Sequence, residues 1–191
     1  MSQNKKGVPL MPPASVSGYV TGRAVVFIDA SNIYHSQKSL GWRIDFAKLR
    51  TYFAQHTNLI STHFYTGLDS KNAKQLSFLR HLEIFGFKVV SKELKVIKTG
   101  HDTHKHKGSL DIELALDCYI ARKTFDTLVL LSGDSDFSPL LDRLKQEGKK
   151  IIVMSTRGHV AVELLSRAKF IELGKLRPVV EYKIQEALAG L

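Results

Sequence analysis

Two rhythms of apolar residues alternate along the chain. Ala24-Val25-Val26-Phe27-Ile28 is an unbroken apolar run rich in β-branched residues, which is how a strand buried on both faces reads. Residues 32–40 then predict a short helix broken by Gly41, and Phe46, Leu49 and Phe53 repeat at helical spacing behind Asp45, a favoured cap. A strand follows over residues 59–65. Leu76, Leu79, Leu82 and Ile84 place a helix over 71–85 that stops at Gly86. Strand pieces follow at 87–90 and 94–97. Residues 98–108, polar and basic throughout, read as a loop. The rhythm then resumes with helix 110–123, strand 127–131, helix 137–146, strand 151–154, helix 160–167, strand 170–173 and a last helix from Pro178, suited to a first helical position. This alternation predicts an α/β fold with a mainly parallel central sheet and helices on both faces.

Residues 1–21 contain prolines and polar residues without the apolar core of a secretory signal, so they read as a disordered tail. The expected domain is 22–175, with a C-terminal helix at 176–191 packed on it or flanking it. No apolar run approaches the roughly 18 residues of a membrane span, which excludes that class. The single cysteine, Cys118, cannot form an internal disulfide or a Cys-rich zinc site, and it falls in an apolar helix as an inert core residue. Cytoplasmic location is the default expectation. With 28 Lys+Arg against 18 Asp+Glu the formal charge is +10, which suits a polyanionic partner. Nothing in the pattern specifies an oligomeric state.

In parallel α/β folds ligands sit beyond the carboxyl ends of the strands. Two predicted strands end in acids there: the first in Asp29, a later one in Ser132-Gly133-Asp134-Ser135-Asp136. Helix capping accounts for one acid per helix and leaves the third unexplained. Asp111 lies in the first turn of the helix after the basic segment and is a further candidate. Asp117, six positions on, is turned from it by about 240° and cannot enter the same small site. Converging carboxylates repel unless a cation lies among them, and hard oxygen ligands suit Mg²⁺ or Mn²⁺. Such an ion suits phosphodiester hydrolysis.

Val25-Val26-Phe27-Ile28-Asp29-Ala30-Ser31-Asn32, the stretch from Lys107-Gly108 through Asp111 to Asp117, and Ser132-Gly133-Asp134-Ser135-Asp136-Phe137 together resemble the NYN family of PIN-like nucleases, its LabA-like branch in particular. The resemblance covers residues 23–173. It implies a PIN-like three-layer α/β/α sandwich, a divalent-metal site, and endoribonuclease activity on RNA. By motif it makes Asp29, Asp111, Asp134 and Asp136 the catalytic, metal-holding acidic cluster, with Asn32 beside it to bind a metal-held water or a phosphate and Asp117 and Ser132 as a second tier. The family usually has one residue fewer before the middle acid. Here Ser109 and Leu110 intervene, and Asp111 reaches the site if the loop before the helix absorbs the extra residue.

Lys98, Lys105 and Lys107, with His101, His104 and His106, sit just before the Asp111 helix, where a basic loop would grip the phosphates of single-stranded or loop RNA. Tyr34, Trp42 and Phe137 are candidate stacking faces, Tyr34 first because it follows the Asp29 turn. An RNA-binding regulatory module with little turnover is the alternative function. Other classes fit less well: haloacid-type phosphatases place a second Asp where Ser31 stands, Toprim sites normally begin on Glu, and dinucleotide enzymes need a Gly-rich turn that Ala30-Ser31-Asn32 lacks.

Overall fold

The computed structural model describes residues 16–98, 104–107 and 109–183. Its strands are β1 Arg23–Asp29, β2 Asn58–Leu68, β3 Phe87–Glu93, β4 Lys95–Lys98, β5 His104–Lys107, β6 Thr127–Leu131, β7 Lys150–Ser155 and β8 Lys169–Glu172. Six of them form one parallel sheet in the order β3-β2-β1-β6-β7-β8. β1, β6 and β7 are apolar without alternation because both of their faces are covered. Val26 and Ile28 of β1, Val129 and Leu131 of β6, and Ile152 and Met154 of β7 enter one core. Their neighbours Val25, Phe27, Leu128, Leu130, Ile151 and Val153 enter a second core on the opposite face.

Helices α1 Ala30–Leu40, α2 Phe46–His56 and α3 Ala73–Ile84 cover the first face through Ile33, Leu49, Phe53, Leu79 and Leu82. Helices α4 Asp111–Ile120, α5 Ser138–Gln146 and α6 Val162–Leu165 cover the second through Leu114, Cys118, Leu141, Leu144 and Leu164. This is the expected three-layer sandwich. Each fully buried Leu or Phe contributes about 1.5–3 kcal/mol, so removing Leu141 or Phe53 strikes the layers directly.

The strand order reverses between β1 and β6. Chain leaving β1 crosses to the first face and chain leaving β6 crosses to the second, so a crevice opens between the carboxyl ends of these two strands. Asp29 closes β1, and Ser132 follows β6 directly.

Four expectations need correction. Residues 98–108 are not simply a loop: β4 pairs antiparallel with β5. That ladder is made by backbone groups, which side-chain polarity does not disclose. The folded part also begins before residue 22, because Val16 is buried in the first core and its N–H donates to the Tyr52 hydroxyl oxygen at 3.1 Å. Thr21 is fixed through its N–H to Thr127 Oγ1 at 3.0 Å; residues 1–15 lie outside the described residues. The helix expected at 160–167 is the single turn of α6, started by Ala161 without a side-chain cap. Among the described residues the last helix, α7, covers Arg177–Val180 and stops before Glu181. Glu181 then bridges to Ile44 and the Tyr182 N–H donates to the Arg43 carbonyl, while residues 184–191 lie outside the described residues.

Candidate metal centre

Asp29 caps α1. Its Oδ1 accepts the N–H of Ser31 at 3.0 Å and of Asn32 at 3.2 Å, and its Oδ2 accepts the Ser132 hydroxyl at 2.9 Å. Ser132 Oγ in turn accepts the Asp134 N–H at 3.2 Å. Asn32 Oδ1 accepts the Gly133 N–H at 2.9 Å, so the end of β1 and the loop after β6 are stitched together across the crevice. Gly133 does not have the positive φ that a sharp turn would require. Its need is for space: a Cβ there would sit 1.7 Å from the His159 carbonyl oxygen.

Asp29 is only 7% exposed. Burial raises its pKa above the ordinary carboxylate value; the Asn32 N–H and the Ser132 hydroxyl oppose this, the Asp111 charge adds to it, and the Ser31 N–H opposes it. Asp111 is therefore close enough to Asp29 for their charges to interact.

Asp134 caps the short turn Ser135–Phe137 by accepting the Asp136 N–H at 3.0 Å. Asp111 is the first residue of α4, and the Ser109 hydroxyl donates to its carboxylate. Asp111, Asp134 and Asp136 each present a carboxylate oxygen, and these oxygens lie within 4.8 Å of one another. The donor set is three hard oxygens without nitrogen or sulfur, so it fits a divalent cation of the Mg²⁺ class better than Zn²⁺. Ser109 is a contributor that sequence reasoning missed; only its position two residues before Asp111 could have signalled it.

Asp117 stands apart from the three, on another side of α4, and accepts the Tyr65 hydroxyl at 2.8 Å. Burial, with Asp117 beside it, pushes the Tyr65 phenol above its usual range. Tyr65 is paired in register with Asp29 on the neighbouring strand.

A groove of about 1480 Å³ runs from Asp29, Asp111 and Asp134 past the end of β2 to α1 and α3. Tyr34 and Trp42 both line it, but Tyr34 is 55% exposed, whereas Trp42 and Phe137 are 6% and 1% exposed and pack in the two cores. Their candidacy as stacking faces is withdrawn for that reason. Lys98 ends β4, and His104, Lys105, His106 and Lys107 form β5; His101 lies outside the described residues. Cys118 is fully buried and its thiol pKa is pushed up by burial, as an inert core residue requires.

The family model for the NYN domain matches residues 23–174. The chain belongs to the NYN family. This NYN domain is 31% identical over 164 residues to the low amplitude and bright protein LabA of Synechococcus elongatus, covering 83% of this chain and 88% of that one. An uncharacterized protein of Methanocaldococcus jannaschii is 28% identical over 78 residues, 40% of this chain and 32% of its own length. Among solved structures, a protein of unknown function from Vibrio parahaemolyticus superposes with a TM-score of 0.68 at 25% identity, over 80% of this chain and 93% of that one. The acidic cluster of this NYN domain fits a metal-dependent nuclease of the PIN-like kind. Among its described residues, no helix is long and apolar enough to cross a membrane.

Proposed function

We propose that this NYN domain is a divalent-metal-dependent endoribonuclease that hydrolyses phosphodiester bonds of single-stranded or loop RNA. The observation that carries the reading is the meeting of Asp111, Asp134 and Asp136 within 4.8 Å at the carboxyl edge of the sheet. These three would hold Mg²⁺ or Mn²⁺. When bound, such an ion polarises a phosphoryl oxygen and lowers the pKa of an attacking water.

The chain itself supplies preorganisation. Ser109 donates to Asp111 and fixes its carboxylate, while the Asp136 N–H fixes Asp134. Ser132 joins Asp29 to the Asp134 backbone, so Asp29 stands behind the cluster as a buried acid held by three donors. Asn32 keeps the two strand ends at one spacing. Carboxylates fixed before substrate arrives need no reorganisation during reaction, which is where electrostatic catalysis gains most. The net charge of +10 draws RNA toward a site that is itself acidic.

The test is incubation of the full chain with an end-labelled, mostly single-stranded RNA and Mn²⁺ or Mg²⁺, beside an EDTA control and Asp134→Asn. Cleavage that disappears in both controls is the expected result. Intact RNA that still binds in a salt-dependent way would replace this reading with an RNA-binding regulatory module.

A further inference from the structure

The groove beside the acids has a composition that catalysis alone does not require. On α1, Tyr34 and Lys38 are exposed and four residues apart, and Lys38 Nζ lies 4.5 Å from the centre of the Tyr34 ring. On α3, Lys74 and Phe78 repeat the pattern, exposed and four residues apart. All four line the same groove. Residues spaced by four share a helix face, so each helix presents one ring and one ammonium group side by side.

Phe78 is 42% exposed although it is anchored from beneath by Phe46 and Phe64, whose ring centres lie 6.0 and 5.9 Å away. A ring held by core aromatics loses little freedom when something stacks on its open side, which makes it a platform. Arg43, also exposed, lines the groove from the connection between α1 and α2. The cations of Lys38, Arg43 and Lys74 thus share one groove with the carboxylates of Asp29, Asp111 and Asp134. Small-molecule sites hold about 300–1,000 Å³, and this groove, at about 1480 Å³, exceeds them.

We propose that the groove is the track of a single RNA strand several nucleotides long, with bases stacked on Tyr34 and Phe78 and phosphates held by Lys38, Arg43 and Lys74. This deepens the ribonuclease reading and rests on it for the kind of nucleic acid. Paired bases within a duplex offer no free faces to rings set on groove walls, so the track selects unpaired strands.

The experiment is fluorescence anisotropy in EDTA, where cleavage is off, using a labelled oligouridine strand and the same strand annealed to its complement. Wild type, Tyr34→Ala, Phe78→Ala and Lys38→Glu/Lys74→Glu are compared. Each aromatic variant is expected to weaken single-strand binding about tenfold. The double charge reversal should weaken it further and flatten the dependence of log affinity on log salt. Because Phe78 packs on core rings, thermal melting accompanies it, and the exposed Tyr34 and Lys74 changes decide the matter should that variant misfold. Unchanged binding in the groove variants, or equal binding of the duplex, overturns the track even where Asp134-dependent cleavage is intact. Groove-dependent binding by a protein that cleaves nothing keeps the track and removes the nuclease instead.

Discussion

Asn32 and Gly133 are 101 positions apart in sequence and are joined by one hydrogen bond of 2.9 Å, from the Gly133 N–H to Asn32 Oδ1. Asn32 lies in the first turn of α1, and Gly133 directly precedes Asp134. The bond therefore fixes how far the acids after β6 stand from the acid that ends β1. Asn32→Ala leaves a partly buried N–H without its acceptor, and the expected cost is about 1–2 kcal/mol in urea unfolding. Equal unfolding midpoints for wild type and Asn32→Ala would show that the latch does not matter.

Gly133 carries a second constraint. Its backbone passes so close to the loop after β7 that an added Cβ meets the His159 carbonyl oxygen at 1.7 Å and the Val160 Cα at 2.8 Å. Both are backbone atoms, so neither swings aside as a flexible side chain would. Gly133→Ala should destabilise by about 3 kcal/mol, the upper part of the range for overpacking. Because the displaced segment leads into Asp134, metal-dependent cleavage should fall along with thermal stability. An alanine variant that melts with wild type would refute the crowding.

Asp29 should lower the stability of the fold at neutral pH. Burial holds its folded pKa above the unfolded value near 3.8. Below that value both states are protonated and Asp29 has no effect through linkage. As pH rises toward the folded pKa, the unfolded chain loses the proton first, so stability declines; above it the penalty is constant. An asparagine side chain in its place would not titrate and could still accept the Ser31 and Asn32 N–H groups. Asp29→Asn should therefore melt higher than wild type at pH 7, with the difference shrinking toward pH 4, while cleavage drops sharply. A variant that is less stable at pH 7 would show that the charged form is the one the fold prefers.

Asp117 is tied to the groove wall through Tyr65, which lines the groove. It accepts the Tyr65 hydroxyl, and Tyr65 neighbours Asp29 in the sheet. Tyr65→Phe and Asp117→Ala should each cost about 1 kcal/mol. The double variant should cost little more than either alone, since both remove the same bond. Metal-induced stabilisation should persist in each. Additive losses would mean that the two residues act through separate contacts.

The parts of this fold that were readable in the sequence are those where packing imposes a period. β1, β6 and β7 are covered on both faces and so appear as continuous apolar runs, and Asp45 and Gly41 announce their caps by chemistry that is local. β4 was expected as a strand piece at 94–97, but its partner β5 escaped because His104-Lys105-His106-Lys107 has no apolar alternation and is paired through its backbone. Val16 escaped because a single buried residue in a short turn has no period at all. Asp29, Asp111, Asp134 and Asp136 were visible as acids at strand ends and helix starts. Asn32 was visible only as a neighbour of Asp29, since its partner Gly133 comes from the other half of the chain. Lys74 and Phe78 resemble any exposed helical pair until the groove joins α3 to α1.

The acidic cluster makes a prediction about stability as well as activity. Asp111, Asp134 and Asp136 bring three carboxylate oxygens within 4.8 Å, and their mutual repulsion opposes folding until a cation offsets it. A ligand that binds the folded state and not the unfolded one stabilises by RT ln(1 + [L]/Kd), about 2.7 kcal/mol at a hundredfold excess over Kd. Mn²⁺ or Mg²⁺ should therefore raise the melting temperature of the wild-type chain, and EDTA should reverse it. Asp134→Asn or Asp136→Asn should melt at or above wild type without metal, because one repelling charge is gone, and should gain much less when metal is added. Asp117→Ala should respond to metal as wild type does. Equal metal-induced shifts in wild type and the Asp134 and Asp136 variants would mean that the ion binds elsewhere, and the three acids would then lose their place at the centre of the proposed reaction.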